Sequence, residues 1–418
     1  MNNDLAARFQ QAISTLDPRK PEYVMHVVDR LLDQAISAGA SDVHLQPGSE
    51  GLEVRWRIDG VLRPVAVLAA AIAPNIVARL KVMAGLLTYR TDVPQEGRIA
   101  GTTATSIERR VSTFPTLHGE RVAIRLFADI GKYQALGELG LPVKIEQRLR
   151  AMLQETTGAL LIVGPAGSGK TTTLYACLRE VIVHSRGERS VVSLEDPIEQ
   201  ALPGVAQSQV NAASGFDLAR ALKSLMRQDP EVIAIGEIRD PDSASTAFEA
   251  ALTGQLVVST FHAGSAAESI GRLLDLGLEP YVLRSGLRAV LHQRLVRRLC
   301  TCSEPLNDPT DWLGLPVGQA SGPVGCPVCL GTGYHGRMLL TEWLELMNPS
   351  VTRAILERAD VPTIEQAAMA GGMETRWSMA IGAVNSGATS PAEVRRVLGL
   401  GNPRRSASTS SHSEPGCS

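Results

Sequence analysis

Gly164-Pro165-Ala166-Gly167-Ser168-Gly169-Lys170-Thr171 fits the phosphate-binding pattern G-x-x-x-x-G-K-[ST] at every fixed position. An apolar run, Ala159-Leu160-Leu161-Ile162-Val163, leads straight into it, and a helical pattern from Thr172 to Val183 leads straight out. Strand, loop and helix in that order are the context this motif needs. The glycines let backbone N–H groups crowd around phosphate oxygens, and the helix start adds the positive end of its dipole. Lys170 is expected to reach the β- and γ-phosphates, Thr171 to hold Mg²⁺, and the loop from Gly164 through Thr172 to cradle the nucleotide.

Outward from this loop, the 418 residues suffice for two or three domains. With 41 Lys and Arg against 43 Asp and Glu the net charge is −2, which does not point to a nucleic-acid or acidic-lipid carpet. No apolar run approaches the ~18 residues of a membrane span, and the start, Met1-Asn2-Asn3-Asp4, carries no secretory pattern. A cytoplasmic setting is therefore expected, in which the six cysteines read as metal ligands or free thiols rather than disulfides.

Along the chain, residues 1–20 read as a flexible or partly helical lead. Val24, Val27, Val28, Leu31, Leu32 and Ala35 recur at helical spacing. Strand-like pieces at 42–46, 52–58, 106–113 and 121–127 and a helix over 76–87 complete a small α+β domain, 21–130. Glycines and a proline mark 131–142 as a linker. In 143–299, strand patterns at 191–194, 232–236 and 256–260 alternate with helical stretches, which argues for a largely parallel sheet covered by helices. A cysteine- and glycine-rich segment, 300–340, a helical part, 341–400, and a Ser- and Arg-rich tail, 401–418, follow. Arg284, Arg288, Arg294, Arg297 and Arg298 read as a basic helical run facing solvent or a neighbouring subunit.

Three acidic or polar strand ends could serve the loop. Glu237 closes the apolar run Val232–Gly236, where a carboxylate can orient a water and accept its proton. Glu195, Asp196 and Glu199 follow another strand and read equally as metal or water holders or as an acidic loop in solvent. His262, after Ser259-Thr260-Phe261, reads by spacing more readily as a structural histidine than as a sensor. Cys300-Thr301-Cys302 and Cys326-Pro327-Val328-Cys329 give four thiols that suit tetrahedral Zn²⁺, the second pair followed by Gly331-Thr332-Gly333 so that amides can turn around the sulfurs. The C-x-C spacing of the first pair is uncommon, and four reduced structural thiols are the other reading.

Several motifs in order, Ala40-Ser41-Asp42-Val43-His44, Arg57-Ile58-Asp59-Gly60, Pro94-Gln95-Glu96-Gly97-Arg98, Gly119-Glu120-Arg121, the phosphate loop, Glu195–Glu199, Arg227-Gln228-Asp229-Pro230, Gly236–Asp240 and Ser259–His262, resemble the secretion ATPase superfamily that powers type II secretion and type IV pilus assembly. The likeness covers about 40–398. It implies a RecA-like phosphate-loop NTPase core with a smaller N-terminal PAS-like α+β domain and a C-terminal zinc-knuckle and helical subdomain. It implies a homo-hexamer that hydrolyses ATP with Mg²⁺, works beside the inner membrane through a platform protein and other secretion or pilus components, and needs no nucleic acid. Under the same likeness Glu237 is the catalytic glutamate, Glu195 to Glu199 an acidic box, and His262 a histidine-box residue. Arg110 and Arg125 are arginines that reach ATP; Arg227, Arg239 and Arg272 fall at further arginine positions. The segment 325–337 resembles the zinc-bearing part of assembly-type members, which favours assembly over retraction or DNA uptake.

The chain also departs from that pattern. Gln255 stands where a histidine is usual, which puts a two-histidine sensor in doubt, and Lys223 replaces an arginine and loses its planar fork. Only about 20 residues precede the first matched helix, so docking is expected to use another surface than the extra N-terminal domain of many relatives, or a different partner. Besides the motor, a nucleotide-gated scaffold with little turnover is the competing expectation.

Overall fold

The computed structural model describes residues 4–100, 109–126, 133–211 and 214–401. They form two compact units. The first comprises the described residues up to 126 together with 299–304 and 323–336; the second comprises 133–298, 305–322 and 337 onward.

In the first unit, helices α1 (Asp4–Ser14), α2 (Tyr23–Ser37) and α3 (Ala73–Met83) accompany an antiparallel sheet. Its strands are β1 (Ala40–Gly48), β2 (Gly51–Ile58), β3 (Val61–Leu68), β4 (Gln95–Ile99), β5 (Arg109–Thr116) and β6 (Gly119–Leu126), in the order β3-β2-β1-β6-β5-β4. Alternation places Val43 and Leu45 of β1 in the core and Asp42, His44 and Gln46 on the other face. Of the two readings of the lead, flexible or partly helical, the described residues show the helical one. Leu5, Phe9 and Ile13 recur every four residues on α1 and are buried, with Phe9 edge-on to Trp56 at 5.9 Å between ring centroids. On α3 the buried Lys81 ammonium lies 2.7 Å from the Glu120 carboxylate and donates to the Arg90 carbonyl at 2.7 Å. Glu120 belongs to one of the motifs above, and its role within the described residues is this internal ion pair.

The second unit is built on a seven-stranded sheet. Its elements are α4 (Val143–Met152), β7 (Gly158–Val163), α5 (Lys170–His184), β8 (Val191–Glu195), β9 (Ala206–Gln209), α6 (Leu218–Leu225), β10 (Val232–Ile235), α7 (Pro241–Leu252) and β11 (Leu256–Phe261). There follow α8 (Ala266–Asp275), α9 (Pro280–Gly286), β12 (Leu287–Leu299), β13 (Tyr334–Glu345), α10 (Pro349–Leu356), α11 (Val361–Ala370), α12 (Arg376–Asn385) and α13 (Pro391–Leu398). The strand order is β13-β12-β7-β11-β10-β8-β9, and every pairing from β12 to β9 is parallel. Alternate residues of β7 enter two hydrophobic clusters: Ala159, Leu161 and Val163 one, Leu160 and Ile162 the other. A central parallel strand buried on both faces is why that run is continuously apolar.

Three expectations change in this unit. The basic run is mostly strand: only Arg284 is on α9, and Arg288, Arg294, Arg297 and Arg298 lie on β12. Burial of β12 on both sides, not an amphipathic face, fixes its form, and Arg297 spends its charge on the buried Glu393 at 2.7 Å. The expected linker is ordered from Tyr133 onward, with Leu136 fully buried beside Leu160; its first two residues lie outside the described residues. The part expected to be helical from 341 begins as strand β13 and is helical only from α10 onward, with Thr375 capping α12. The tail beyond 401 and Cys417 lie outside the described residues.

Candidate functional site

The phosphate loop sits at the carboxyl end of β7, where a parallel sheet presents its strand ends and the N-terminus of the following helix together. Gly164 has φ 153°, and a Cβ there would stand 2.5 Å from the Gln293 carbonyl oxygen and 2.6 Å from Ser168 Oγ, so only glycine fits. Gly169, with φ 90°, makes the left-handed step into α5. Lys170 is buried; its ammonium donates to the carbonyls of Gly164 at 2.9 Å and Pro165 at 3.0 Å, which places its tip at the Pro165 end of the loop. Burial lowers its pKa, against the opposing charge of Glu237. Ser168 Oγ is buried and has no hydrogen-bond partner among the described residues, an orphan that a phosphate oxygen would satisfy. Pro165, Thr171 and Thr172 are half-buried and Ala166 and Gly167 exposed, so the rim of the loop is open to a ligand. Behind it, Gln293 donates to the Thr173 hydroxyl at 2.8 Å and ties α5 to β12.

Glu237 follows β10, two strands from β7. Its carboxylate accepts from Arg239 Nε at 2.5 Å and faces His262 Nε2, at the end of β11, at 3.2 Å. His262 is held below its ordinary pKa chiefly by burial and then by the Lys170 charge, with Glu237 opposing; it is therefore neutral at pH 7 and can donate one N–H to the carboxylate. Arg272 donates to the His262 carbonyl at 2.6 Å and lies over the Phe261 ring at 5.7 Å. Glu237, Arg239, His262, Arg272 and Asp275 line a cavity of about 610 Å³.

The acidic box divides. Glu195, at the end of β8, is buried and fully engaged: it accepts from the Tyr175 phenol, from Ser193 Oγ at 2.6 Å and from Gln207 Nε2 at 2.9 Å. Tyr175 in turn accepts from the Glu199 amide at 3.1 Å, so Glu195 fixes the loop that carries Glu199. Asp196 and Glu199 are exposed, Asp196 lying 3.8 Å from Arg239. Tyr175 and Gln207 were not among the expected site residues; the only signal for Tyr175 is a phenol on an otherwise apolar helix face.

Arg110 and Arg125 are register partners on β5 and β6 of the first unit. Both are exposed, Arg110 paired with Glu96 at 2.8 Å and Arg125 with Asp42 at 3.2 Å. Arg227 donates to the Lys223 carbonyl at 3.1 Å and, among the described residues, has no hydrogen bond or ion pair with the loop, Glu237 or His262. Gln255 precedes β11, its carbonyl accepting from the Gly158 amide at 3.2 Å. It thus stands at the opposite end of the strand from His262, roughly 20 Å away at ~3.3 Å per residue. Within this chain Gln255 and His262 therefore do not share a site.

The four cysteines gather in the first unit, all Sγ atoms within 4.8 Å of one another. The Cys300–Cys326, Cys302–Cys329 and Cys326–Cys329 separations are each 3.8 Å. A tetrahedron of ~2.3 Å Zn–S bonds has edges of about 3.8 Å, so the donors fit that ion. Amides of Cys326 and Gly333, both 3.1 Å from Cys329 Sγ, and of Gly325, 3.4 Å from Cys302 Sγ, stabilise thiolate charge. Although partial burial opposes it, these hydrogen bonds bring Cys329 down to about 6. Cys177 is buried alone, and burial pushes its thiol up.

A glycine loop closing on a helix start at the carboxyl end of a parallel sheet, with a carboxylate two strands away, defines a phosphate-loop α/β protein. Residues 18–396 match the family described as Type II/IV secretion system protein. The type II secretion system protein E of Pectobacterium carotovorum is 40% identical over 388 residues, 91% of this chain and 77% of that protein. The type II secretion system ATPase E of Vibrio cholerae is 37% identical over 401 residues, 94% of this chain and 79% of that protein. Among solved structures, the Legionella pneumophila ATPase DotB matches 92% of this chain and 96% of its own with a TM-score of 0.65 at 21% identity, a likeness of fold. The chain belongs to the type II/IV secretion system protein family.

Proposed function

We propose that this chain is an ATPase that works as a ring of six copies and drives assembly of pilus or pseudopilus fibres in a type II secretion or type IV pilus system. The observation that carries this reading is the convergence of the phosphate loop, Glu237 and His262 at the carboxyl ends of three strands of one parallel sheet. The loop amides and Lys170 would bind the phosphates of ATP, with Thr171 turned to Mg²⁺, which when bound neutralises charge on the β- and γ-phosphates. Glu237 would orient water and take its proton. His262 and Arg239, each on one oxygen of that carboxylate, hold its plane and are positioning residues. Glu195 acts through Tyr175 and the loop bearing Glu199 rather than on the nucleotide. Arg110 and Arg125 are proposed to neutralise phosphoryl charge when ATP is bound.

The four cysteines are proposed to hold one Zn²⁺, and the antiparallel first unit to be the PAS-like domain. Among the described residues no helix is long and apolar enough to cross a membrane. A cytoplasmic ring held at the inner membrane by a platform protein is the arrangement proposed. Phosphate release by the purified chain in millimolar Mg·ATP tests the reading, with Lys170→Ala as control. A folded chain without affinity for Mg·ATP refutes it, as does full turnover in Lys170→Ala.

A further inference from the structure

A second cavity, of about 310 Å³, adjoins the phosphate loop and belongs wholly to the second unit. Pro165 and His262 form its near wall, Arg272, Arg294 and Arg376 supply its charge, and Val397 and Leu398 of α13 are its apolar floor. The near wall fixes its place relative to the chemistry. Lys170 Nζ, which the loop motif aims at the terminal phosphates, sits against Pro165 O, and His262 lines this cavity as well as the one that holds Glu237. An anion leaving the γ-phosphate position on this side meets the three guanidiniums next.

Two of the three charges have no carboxylate partner among the described residues. Arg376 is answered by the buried Glu342 at 2.5 Å. Arg272 is exposed; it donates to the His262 carbonyl, lies over the Phe261 ring and has no carboxylate partner among the described residues. Arg294 is half-buried, donates to the Val397 carbonyl at 2.9 Å, and has no carboxylate partner among the described residues. Burial and the neighbouring cations Arg376 and Arg396 disfavour its charge, and a guanidinium kept there without a counter-ion is poised for an external anion. Of the carboxylates around these lining residues, Glu342 is paired with Arg376, Glu237 faces His262 and Arg239, and Glu268 accepts from the Gly264 amide at 3.0 Å. Planar forks suit a tetrahedral oxyanion, and a cavity of this size admits one with its water.

We propose that this cavity is a holding site for inorganic phosphate, occupied as the product leaves the phosphate loop, with Arg294 its principal ligand. The proposal rests on the ATPase reading. The test is binding of inorganic phosphate to the full chain saturated with Mg·ADP, followed by calorimetry, in wild type, Arg294→Gln and Arg294→Lys. Wild type is expected to bind phosphate, Arg294→Gln at least tenfold more weakly, and Arg294→Lys, which keeps the charge and loses the fork, between them. Mg·ADP affinity and melting temperature report that each variant is folded. Equal phosphate affinity in wild type and Arg294→Gln overturns the proposal, and so does a wild-type chain that turns ATP over yet binds no phosphate beside ADP. A chain that neither binds ADP nor hydrolyses ATP overturns the ATPase reading itself, so the two failures are distinct.

Discussion

Replacing Glu237 by Gln separates the chemistry of its carboxylate from its shape. The two side chains are nearly isosteric, and the amide oxygen can still accept from Arg239, which now lies 2.5 Å from Oε2. The other terminal atom becomes NH₂ and faces His262, 3.2 Å from Oε1 in the native chain. What is lost outright is the basic oxygen that takes a proton from water. A positioned general base contributes ~10²–10⁴ in rate. At ~1.4 kcal/mol per decade that is about 3–6 kcal/mol of transition-state stabilisation. ATP binding should change little, because Lys170, Ser168 and the loop amides are untouched, and only a through-space attraction between Lys170 and Glu237 disappears. The assay is steady-state phosphate release at saturating Mg·ATP, beside nucleotide affinity and thermal melting. The expected result is a fall of at least a hundredfold in turnover with affinity and melting retained. Glu237→Gln with wild-type turnover would show that another group activates water and would refute the assignment.

Three further outcomes test other parts of the molecule. Phe9→Ala removes a fully buried ring packed on Trp56 and should cost about 3–5 kcal/mol in urea unfolding of the first unit; a change under ~1 kcal/mol would mean that α1 is not part of that core. His292 is buried, and desolvation brings it down to about 4. Between pH 6.5 and 4 the unfolded chain therefore binds a proton that the folded chain refuses, and stability falls as pH is lowered through this window. From pH 7 to 5 the loss is about 2 kcal/mol, and His292→Phe should flatten that limb of a urea-midpoint profile. Cys329→Ser removes a thiol that the Cys326 and Gly333 amides bring down to about 6, and zinc content by atomic absorption should fall from one equivalent per chain to well below it; an unchanged metal content would dismiss the tetracysteine site.

The parts of the site that could be read along the chain are those whose physics is local. The phosphate loop is a contiguous pattern; its strand is apolar because both faces of β7 are covered, and its glycines are required by φ values set within a few residues. Glu237 was legible for the same reason, as a carboxylate ending a short apolar strand. The basic run misled because arginines at 284, 288, 294, 297 and 298 mimic a helical stripe, whereas the residues between them, Val290, Leu291, His292 and Gln293, are all buried in a strand with neighbours on both edges. Helix α1 was read only as a flexible or partly helical lead, because three apolar residues among polar ones carry little signal until Trp56 and the rest of the core cover them.

The sequence by itself determined that a phosphate loop stands between strand and helix, that a carboxylate ends a nearby strand, and that four thiols lie close enough in the chain to share a metal. Only the tertiary structure decided which groups act together: Glu195 is spent on Tyr175, Ser193 and Gln207, His262 meets Glu237, Gln255 lies a strand's length away from both, and Arg294 faces a cavity without a counter-ion. The reason is that backbone conformation and metal-ligand spacing are encoded over a few residues. Hydrogen-bond partners and uncancelled charge are set instead by side chains that strand order brings together from far along the chain.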